Sequence, residues 1–434
     1  MRAMKKAAVL LCATAMTASL AACGGSNSSN GGESKDGKPG GEISFQTWNL
    51  KNDKYTPYFK DLIAAYEKEH PGTTIKWVDQ PSDNYEQKLS ADAAANSLPD
   101  IIDAGPSLMY GLAKAGALMN LSKEDPKAAD NFYKNAWNAV TFKGNGVEEG
   151  AYGFPWYVND GPTYYNTELM QKCGLDPEKL PVTWDDYFDQ ANTMVKSGCG
   201  AYMSTMLGGA VDDYASAGIP IMNKDHTKYI FNSPEAVKLL QRFVDLYKDK
   251  GIPPEALSAQ WSQQGEFFQK GSIIAMGGSA YSAADFKQNS PDLYKHLAVG
   301  KKISNEGKSA TVSYEMLAVN AQTKNKTLAL DFAQYVTNAK NQLEFAKKSN
   351  TFPSSKGGLE DPYYANIDTG DVQGKALKVT LEAVKNGYSC RPAEFTDANG
   401  KDYLQQQAAL ALQGKQTAQE ALDKAVKYSN EKLQ

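Results

Sequence analysis

The sequence predicts an α/β protein with two domains that follow an N-terminal export segment. One observation is an alternation of strand-like and helix-like segments over residues 42–115, the pattern of a parallel sheet flanked by helices. A second observation is length, because 434 residues exceed the roughly 250 to 300 at which one hydrophobic core stops growing. We therefore expect two cores, each with its own secondary structure.

The first third of the chain carries the clearest strand and helix signals. Strands are predicted over 42–48, 73–78 and 98–103. A helix beginning near Tyr55 is ended by His70-Pro71-Gly72, and another runs from an N-cap at Asp83, with Glu86 three residues later, through Ala95. A third helix is predicted over 107–115, and Gly116 ends it. The resulting order is strand, helix, strand, helix, strand, helix.

Elements in the rest of the chain are predicted from capping and periodicity. A helix capped at Thr183 should bury Trp184, Tyr187, Phe188, Ala191, Met194 and Val195, and a helix beginning at Ser233-Pro234 should bury Val237, Leu240, Val244 and Tyr247. A strand over 272–276 precedes a Gly277-Gly278 turn, and helices follow over 328–337 and 343–348. Thr417 and Glu420 cap a final helix. The Gly-, Ser- and Met-rich stretch 197–231 gives no clear element.

The N-terminus has the composition of an export signal. Three basic residues precede an apolar or small run over 7–22, which is too short to span a bilayer comfortably. Leu20-Ala21-Ala22-Cys23-Gly24 resembles the lipobox of bacterial lipoproteins, in which Cys23 becomes the lipidated first residue. The alternative is an ordinary cleaved signal with an incidental cysteine. Residues 23–41 would then form the lipidated cysteine and a flexible linker, because 24–41 contain no side chain suited to a core.

Composition excludes several classes of function. The formal net charge of −4 becomes more negative when residues 1–22 are removed, so nucleic acid is not an expected partner. Three histidines lie far apart and CxxC is absent from the sequence, so neither a zinc site nor another cofactor is expected. Cys173, Cys199 and Cys390 remain after the leader and Cys23. They allow at most one disulfide, and whether the nearest pair, Cys173 and Cys199, forms it stays open.

Sequence motifs of catalysis are also missing. The chain contains no G-x-S-x-G, no phosphate-binding G-x-x-x-x-G-K-[ST] and no H-E-x-x-H. Residues 397–402 have a faint likeness to a calcium loop but break the EF-hand order, so an exposed turn is favoured. Glycoside hydrolysis requires only two carboxyl groups, so the motifs alone leave it open.

Aromatic and polar residues lie where predicted strands end. Ligands of open α/β sheets bind outside the carboxyl ends of the strands, which makes Trp48, Asn49 and Asp103 candidate site residues. The segment 152–166 combines aromatic rings, including Trp156, with amides, glycines and prolines. Rings next to polar groups suit a sugar, which offers both C–H faces and hydroxyls. The alternative for each ring is ordinary core packing.

Residues 152–186 resemble the crossover region of the bacterial extracellular solute-binding proteins of the sugar type, the maltose-binding-protein-like group. The resemblance rests on Tyr152-Gly153-Phe154-Pro155, on Tyr164-Tyr165-Asn166 with Glu168-Leu169, and on Pro181-Val182-Thr183-Trp184-Asp185-Asp186. Further segments that resemble the family follow in its order at 59–71, 97–102, 267–278, 335–355 and 418–433. Together they extend from Ile43 to the C-terminus.

This resemblance implies a two-lobed periplasmic-binding-protein-like fold of type II, with each lobe a mixed or parallel sheet flanked by helices. Lobe one would comprise 42–158 and 316–358, and lobe two 159–315 and 359–434. The ligand cleft would lie between the lobes and close by hinge bending.

Candidate ligand contacts follow from the resemblance and from the strand ends. Asn159, Asp160, Tyr314 and Glu315 would lie at the crossings between the lobes. Tyr281 lies near the family's cleft aromatic, although the family usually has a tryptophan there. The full candidate set is Trp48, Asn49, Asp53, Lys54, Asn84, Asp103, Trp156, Asn159, Asp160, Trp261, Tyr281, Tyr314 and Glu315.

The implied function is that of the lipid-anchored substrate-binding subunit of an ABC importer. It would capture a carbohydrate, with an oligosaccharide expected, and deliver it to separate permease subunits. We expect a monomer without enzymatic activity, held at the outer face of the cell membrane of a Gram-positive-type bacterium. The alternatives are a lipid-anchored glycoside hydrolase and a binder of the same fold for a non-sugar solute such as a peptide or polyamine.

Overall fold

The computed structural model describes residues 39–81, 84–258, 263–305, 312–387, 389, 391–395 and 400–433. The predicted signal segment, Cys23, most of the predicted linker, Trp261 and residues 397–399 of the loop with a likeness to a calcium site lie outside these ranges.

Eleven strands and eighteen α-helices lie within the described ranges. The strands are β1 (Gly41–Trp48), β2 (Thr73–Gln80), β3 (Ile101–Ala104), β4 (Thr141–Gly144), β5 (Val147–Ala151), β6 (Phe154–Val158), β7 (Thr163–Asn166), β8 (Ala275–Gly277), β9 (Leu297–Gly300), β10 (Tyr314–Val319) and β11 (Phe352–Pro353). The first nine helices are α1 (Thr56–Glu69), α2 (Tyr85–Ala94), α3 (Pro106–Lys114), α4 (Leu121–Glu124), α5 (Lys134–Ala139), α6 (Thr167–Lys172), α7 (Trp184–Ser197), α8 (Val211–Ser216) and α9 (Pro234–Lys248). The other nine are α10 (Gln264–Gln269), α11 (Ser282–Asn289), α12 (Pro291–Lys295), α13 (Lys326–Thr337), α14 (Ala339–Ser349), α15 (Pro362–Ala365), α16 (Val372–Asn386), α17 (Asp402–Leu412) and α18 (Ala418–Leu433).

The largest sheet has six strands in the order β11-β6-β10-β3-β1-β2. β1 pairs in parallel with both β2 and β3, which confirms the α/β pattern predicted from the first third of the chain. β10 pairs antiparallel with β3 and with β6, so the chain returns to this sheet late and from the opposite direction. The carboxyl ends of β1 and β3 therefore meet the amino end of β10 at one edge.

Aromatic rings form the first hydrophobic core on one face of this sheet. The Phe45 ring lies 6.1 Å from that of Phe59, 5.5 Å from that of Phe332 and 6.5 Å from that of Trp156, measured between centroids. Phe59 belongs to the apolar face of α1, which is buried as the helical spacing predicts. Burial of so many large rings fixes α1 and α13 against the sheet.

A smaller sheet of three strands, β8-β7-β9, belongs to the second half of the chain. β7 pairs antiparallel with both neighbours, and an isolated parallel bridge joins Tyr202 to Ile273 just before β8. A second core packs the helices α7, α9, α17 and α18 together, with the rings of Phe188 and Phe243 4.9 Å apart.

The N-terminal ends of α7 and α18 are capped by the residues that the sequence predicts. Thr183 and Asp186 form the predicted capping box of α7, and Thr417 and Glu420 exchange the predicted bonds before α18. α2 begins after Asn84, which has a left-handed backbone and makes no side-chain cap bond, and the predicted N-cap Asp83 lies outside the described residues.

The predicted inner face of α9 was also displaced. The structure buries Ala236, Leu239, Leu240, Phe243 and Leu246, whereas Val237, Val244 and Tyr247 are only partly buried beside them. The physical reason is that Phe243, the largest apolar side chain of the helix, packs against Phe188 of α7 and turns the helix toward it. The prediction omitted this residue.

A disulfide joins Cys173 to Cys199, the pair that the sequence left open. It connects the end of α6 to the residues after α7. The stretch 197–231 contains α8 and a bridge between Met222 and Tyr229. No helix in the described ranges combines the length and the apolar character needed to cross a bilayer.

Candidate ligand-binding cleft

A cavity of about 360 Å³ opens where β1 and β3 end and β10 begins. One wall consists of Trp48, Tyr85, Glu86, residues 104–108 and residues 312–315. The facing wall consists of Asp212 from α8 together with Ser389, Arg391 and Ala393. This is the edge of the sheet at which the carboxyl-end rule for parallel strands predicts a ligand site.

The aromatic part of the wall is a pair of parallel rings. Trp48 and Tyr85 lie 6.2 Å apart between centroids with an interplanar angle of 26°. The Tyr85 hydroxyl donates a 2.7 Å hydrogen bond to the backbone carbonyl of Asp103, which fixes the ring in place. The indole Nε1 of Trp48 is buried and has no acceptor within the described residues. The pair therefore offers a flat apolar surface and one unused donor.

Two carboxyl groups lie at the same edge of the sheet. Asp103 at the end of β3 is fully buried, and Glu315 of β10 lines the cavity. Burial raises the pKa of Glu315 to about 8. The pKa of Asp103 is raised well above its ordinary value, first by burial and then by the charge of Glu315. Both groups thus favour the protonated form more than exposed carboxyls do.

The facing wall carries an ion pair between Arg391 and Asp212. Arg391 supplies the guanidinium of this wall, and a guanidinium presents several donors in a rigid plane. Asp212 supplies the carboxylate of the same ion pair. The pair thus presents both hydrogen-bond donors and acceptors to the cavity. This wall and the aromatic wall differ in chemistry, which allows a bound solute to be oriented.

Next to the cavity, the predicted crossing residues have partners of their own. Tyr314 is buried on the cavity wall, and its hydroxyl lacks a partner in the described part of the chain. Asp160 is buried and forms an ion pair with Lys302. Burial raises the pKa of Asp160, and Lys302 partly opposes that shift.

Of the predicted site residues, the cavity brings together Trp48, Tyr314 and Glu315, with Asp103 buried next to Glu315. Five others are exposed and lie outside the cavity wall: Asn49, Asp53, Lys54, Asn84 and Asn159. Asp160 is buried outside the wall, and Trp261 lies outside the described residues.

Two predicted aromatic contacts lie elsewhere. Trp156 is fully buried in the first core, where its ring stacks on Phe345 at 5.0 Å, because its strand β6 lies inside the sheet. This position does not support the predicted ligand contact. Tyr281 is half-buried beside Phe352 and is not part of the cavity wall.

Four charged or aromatic wall residues were missed from the sequence: Tyr85, Glu86, Asp212 and Arg391. Tyr85 and Glu86 follow β2 at the sheet edge that holds the other strand ends, so the carboxyl-end rule could have found them. Asp212 and Arg391 come from segments whose secondary structure the sequence did not indicate. Within the described ranges, no group of three or more histidine, cysteine or acidic side chains is placed to hold a metal ion.

Comparison with known proteins gives consistent matches along the chain. The profile of the family described as "Bacterial extracellular solute-binding protein" matches residues 52–343. The galactooligosaccharide-binding protein of Bacillus subtilis is 25% identical over 384 residues, covering 83% of each chain. The maltodextrin-binding protein MdxE of the same organism is 26% identical over 368 residues, covering 81% of each.

A solved structure agrees in fold. The crystal structure of the cyclic alpha-maltosyl-1,6-maltose binding protein from Arthrobacter globiformis superposes with a TM-score of 0.71 at 19% identity, covering 91% of this chain and 99% of that one. The family match extends over more than half of the sequence and includes the end of β3 and the start of β10. The chain therefore belongs to the bacterial extracellular solute-binding proteins, a family of binding proteins and not of enzymes.

Proposed function

We propose that this protein is the sugar-capture subunit of an ABC importer and that its ligand is an oligosaccharide. The observation that carries the proposal is the cavity of about 360 Å³ with the stacked Trp48–Tyr85 pair on one wall and the Arg391–Asp212 pair on the other. A sugar ring stacks its C–H face on an aromatic ring and directs its hydroxyls sideways to polar groups. The cavity offers both kinds of surface.

Unused hydrogen-bonding groups strengthen this interpretation. Trp48 Nε1, the Tyr314 hydroxyl and Glu315 Oε2 are buried without partners in the described part of the chain. A buried polar atom without a partner costs about 1 to 3 kcal/mol. A ligand with several hydroxyls would remove that cost at more than one atom. This favours a sugar over an apolar solute.

The oligosaccharide assignment is supported by the names of two relatives, which specify galactooligosaccharide and maltodextrin. The size of the cavity falls within the range of about 300 to 1,000 Å³ found for small-molecule sites. We do not assign a linkage, since relatives of similar identity differ in the sugar they are named for.

Capture would proceed by closure of two lobes, with the boundaries predicted above, at 158/159, 315/316 and 358/359. Ligand that contacts both walls binds the closed form better, so its binding energy shifts an open population to the closed one. Micromolar affinity corresponds to about 8 kcal/mol. Permease subunits on separate chains would recognise the closed form.

Isothermal titration calorimetry of the purified protein against malto-, galacto- and arabino-oligosaccharides tests the assignment. We expect one sugar series to bind at micromolar concentration and its monosaccharide to bind more weakly. Peptides and polyamines serve as controls. Tight binding of one of these controls, with no heat from any sugar, would overturn the carbohydrate assignment and favour a non-sugar solute.

We also propose that Cys23 carries a lipid that holds the protein at the outer face of a Gram-positive-type cell membrane. One support is the lipobox-like sequence that ends at Cys23. The other is that residues 24–41 contain no side chain suited to a hydrophobic core, as expected of a flexible linker. Cells fed radiolabelled palmitate should label the wild-type protein and not the Cys23→Ala variant, which should appear in the culture medium. A Cys23→Ala protein that stays on the cells would refute the anchor.

A further inference from the structure

Two acidic side chains lie side by side at the edge of the six-stranded sheet. Asp103 on β3 is directly opposite Leu317 on β10, and Glu315 precedes Leu317 by two residues. Side chains alternate between the faces of a strand, so Asp103 and Glu315 lie on one face as diagonal neighbours, with Cα atoms about 7 to 8 Å apart. A Cβ on Gly105 would lie 3.8 Å from Glu315 Oε1, which places this carboxyl over the end of β3.

Among the groups that shift the pKa of Asp103, only the backbone N–H of Trp48 favours the ionised form, and burial outweighs it. Both carboxyl oxygens of Asp103 and Oε2 of Glu315 are buried without a hydrogen-bond partner in the described ranges. The nearest phenol, Tyr85, already donates its hydroxyl proton to the Asp103 carbonyl. Buried acids without partners are costly, so they point to a function outside the fold itself.

The ionisable side chains that interact with Asp103 and Glu315 are acids and phenols. They are Asp79 at the end of β2, Tyr85 of α2 and Tyr157 of β6. Arg391 lines the same cavity but forms its ion pair with Asp212. None of these acids and phenols stabilises a negative charge on Asp103 or Glu315, and the guanidinium of Arg391 is engaged by Asp212.

Two carboxylates that share a desolvated site cannot both ionise easily. Burial raises the pKa of Glu315 to about 8, and burial together with Glu315 raises that of Asp103. The ligand-free pair therefore retains at least one proton at neutral pH.

We propose that Asp103 and Glu315 share a proton in the ligand-free cleft and that sugar capture releases it to solvent. This inference rests on the proposed function, because it takes ligand hydroxyls as the missing donors. A hydroxyl that donates to Glu315 Oε2 stabilises the carboxylate more than the neutral acid, since charge-assisted hydrogen bonds are the stronger ones. Binding thus favours the ionised form.

The direction of the pH dependence follows from this. The pKa of the pair is lower in the complex than in the free protein, so ligand affinity is highest above about pH 8. Affinity falls as the pH is lowered from about 8 toward the pKa of the complex. When binding releases one proton, the affinity decreases by up to about tenfold for each pH unit in this range.

Calorimetry in buffers of different ionisation enthalpy measures the released proton directly. Titration of the full-length protein with the tightest sugar of the series above should show release approaching one proton near pH 7. Glu315→Gln should abolish the release and flatten the affinity between pH 6 and 9. Glu149→Gln, which removes an exposed carboxyl of β5, should leave both unchanged. Zero release by the wild type, or undiminished release by Glu315→Gln, would overturn the proposal.

A second measurement does not need the sugar. Carbon-13 NMR of the ligand-free protein with labelled Asp and Glu carboxyls should show a glutamate carboxyl titrating between pH 6 and 9 that disappears in Glu315→Gln. Absence of that titration refutes the shared proton whether or not a sugar binds. If the titration is present but the protein binds no sugar, the proposed function is refuted, and so is the coupling of the proton to sugar binding. The shared proton itself would stand.

Discussion

At the scale of single residues, two tryptophans near the same sheet have opposite environments. Trp48 is half-buried on the cavity wall and stacks on Tyr85. Trp156 is fully buried beside Phe345. Both sit in sequence contexts that suggest a sugar site, so composition does not separate them. The difference comes from strand position, because β1 ends at the cavity whereas β6 runs between β10 and β11.

Replacing Trp48 with alanine should weaken sugar binding and leave the fold intact. Loss of the stacking surface and of the Nε1 donor should cost about 10- to 100-fold in affinity, or about 1.4 to 2.8 kcal/mol. Calorimetry gives the affinity, and circular dichroism gives the melting temperature. Trp137→Ala, which removes a partly buried ring that stacks on Phe132, is the control and should keep wild-type affinity. Equal affinity in Trp48→Ala would exclude Trp48 from the site.

Replacing Trp156 with alanine should instead lower stability. Removing a fully buried indole leaves a cavity in the first core and should reduce the free energy of unfolding by about 3 to 5 kcal/mol. Urea denaturation monitored by circular dichroism measures this change. A variant with wild-type stability that had lost sugar affinity would restore the sequence-based assignment of Trp156 to the ligand.

At the scale of elements, local signals predicted helix starts better than helix faces. The Thr183 capping box was correct because it depends on residues only three positions apart. The inner face of α9 was displaced because it is set by the contact between Phe243 and Phe188 of another helix. Similarly, Arg391 and Asp212 lie far apart in sequence, and only folding brings them together on the cavity wall.

Thr183→Ala should reduce the free energy of unfolding by about 1 kcal/mol, with the usual range for a lost N-cap being about 0.5 to 2. The Thr183 side chain accepts from the backbone N–H of Asp186, which would lose its partner. Thr193→Ala in the middle of the same helix is exposed and provides the matched control. A loss no larger than that of Thr193→Ala would show that the cap contributes nothing to stability.

At the scale of the whole molecule, one predicted crossing segment, the residues after β6, packs tightly against the turn after β8. A Cβ on Gly161 would lie 1.9 Å from the carbonyl oxygen of Gly278, so only glycine fits where the segment after β6 passes the turn after β8. Chain segments that cross between two cores are where hinge bending would occur. We place the proposed closure at these crossings.

Small-angle X-ray scattering should therefore detect a change in shape on ligand binding. The radius of gyration should fall when saturating sugar is added, because closure brings the two cores together. The same sugar added to Trp48→Ala, at a concentration that saturates only the wild type, should produce a smaller decrease. An unchanged scattering curve at saturation would exclude closure.

The sequence by itself determined the α/β class, the strands β1, β2 and β3, helices such as α1, α7, α9 and α18, and the edge of the sheet at which the cavity lies. These properties depend on periodicity and caps, which are local, and on a topological rule that needs only strand order. Tertiary structure alone decided which aromatics line the cavity, that Cys173 bonds Cys199, and that the buried Asp103 lies beside Glu315. Each of these depends on the packing of segments far apart in the chain, and local patterns carry no information about that packing.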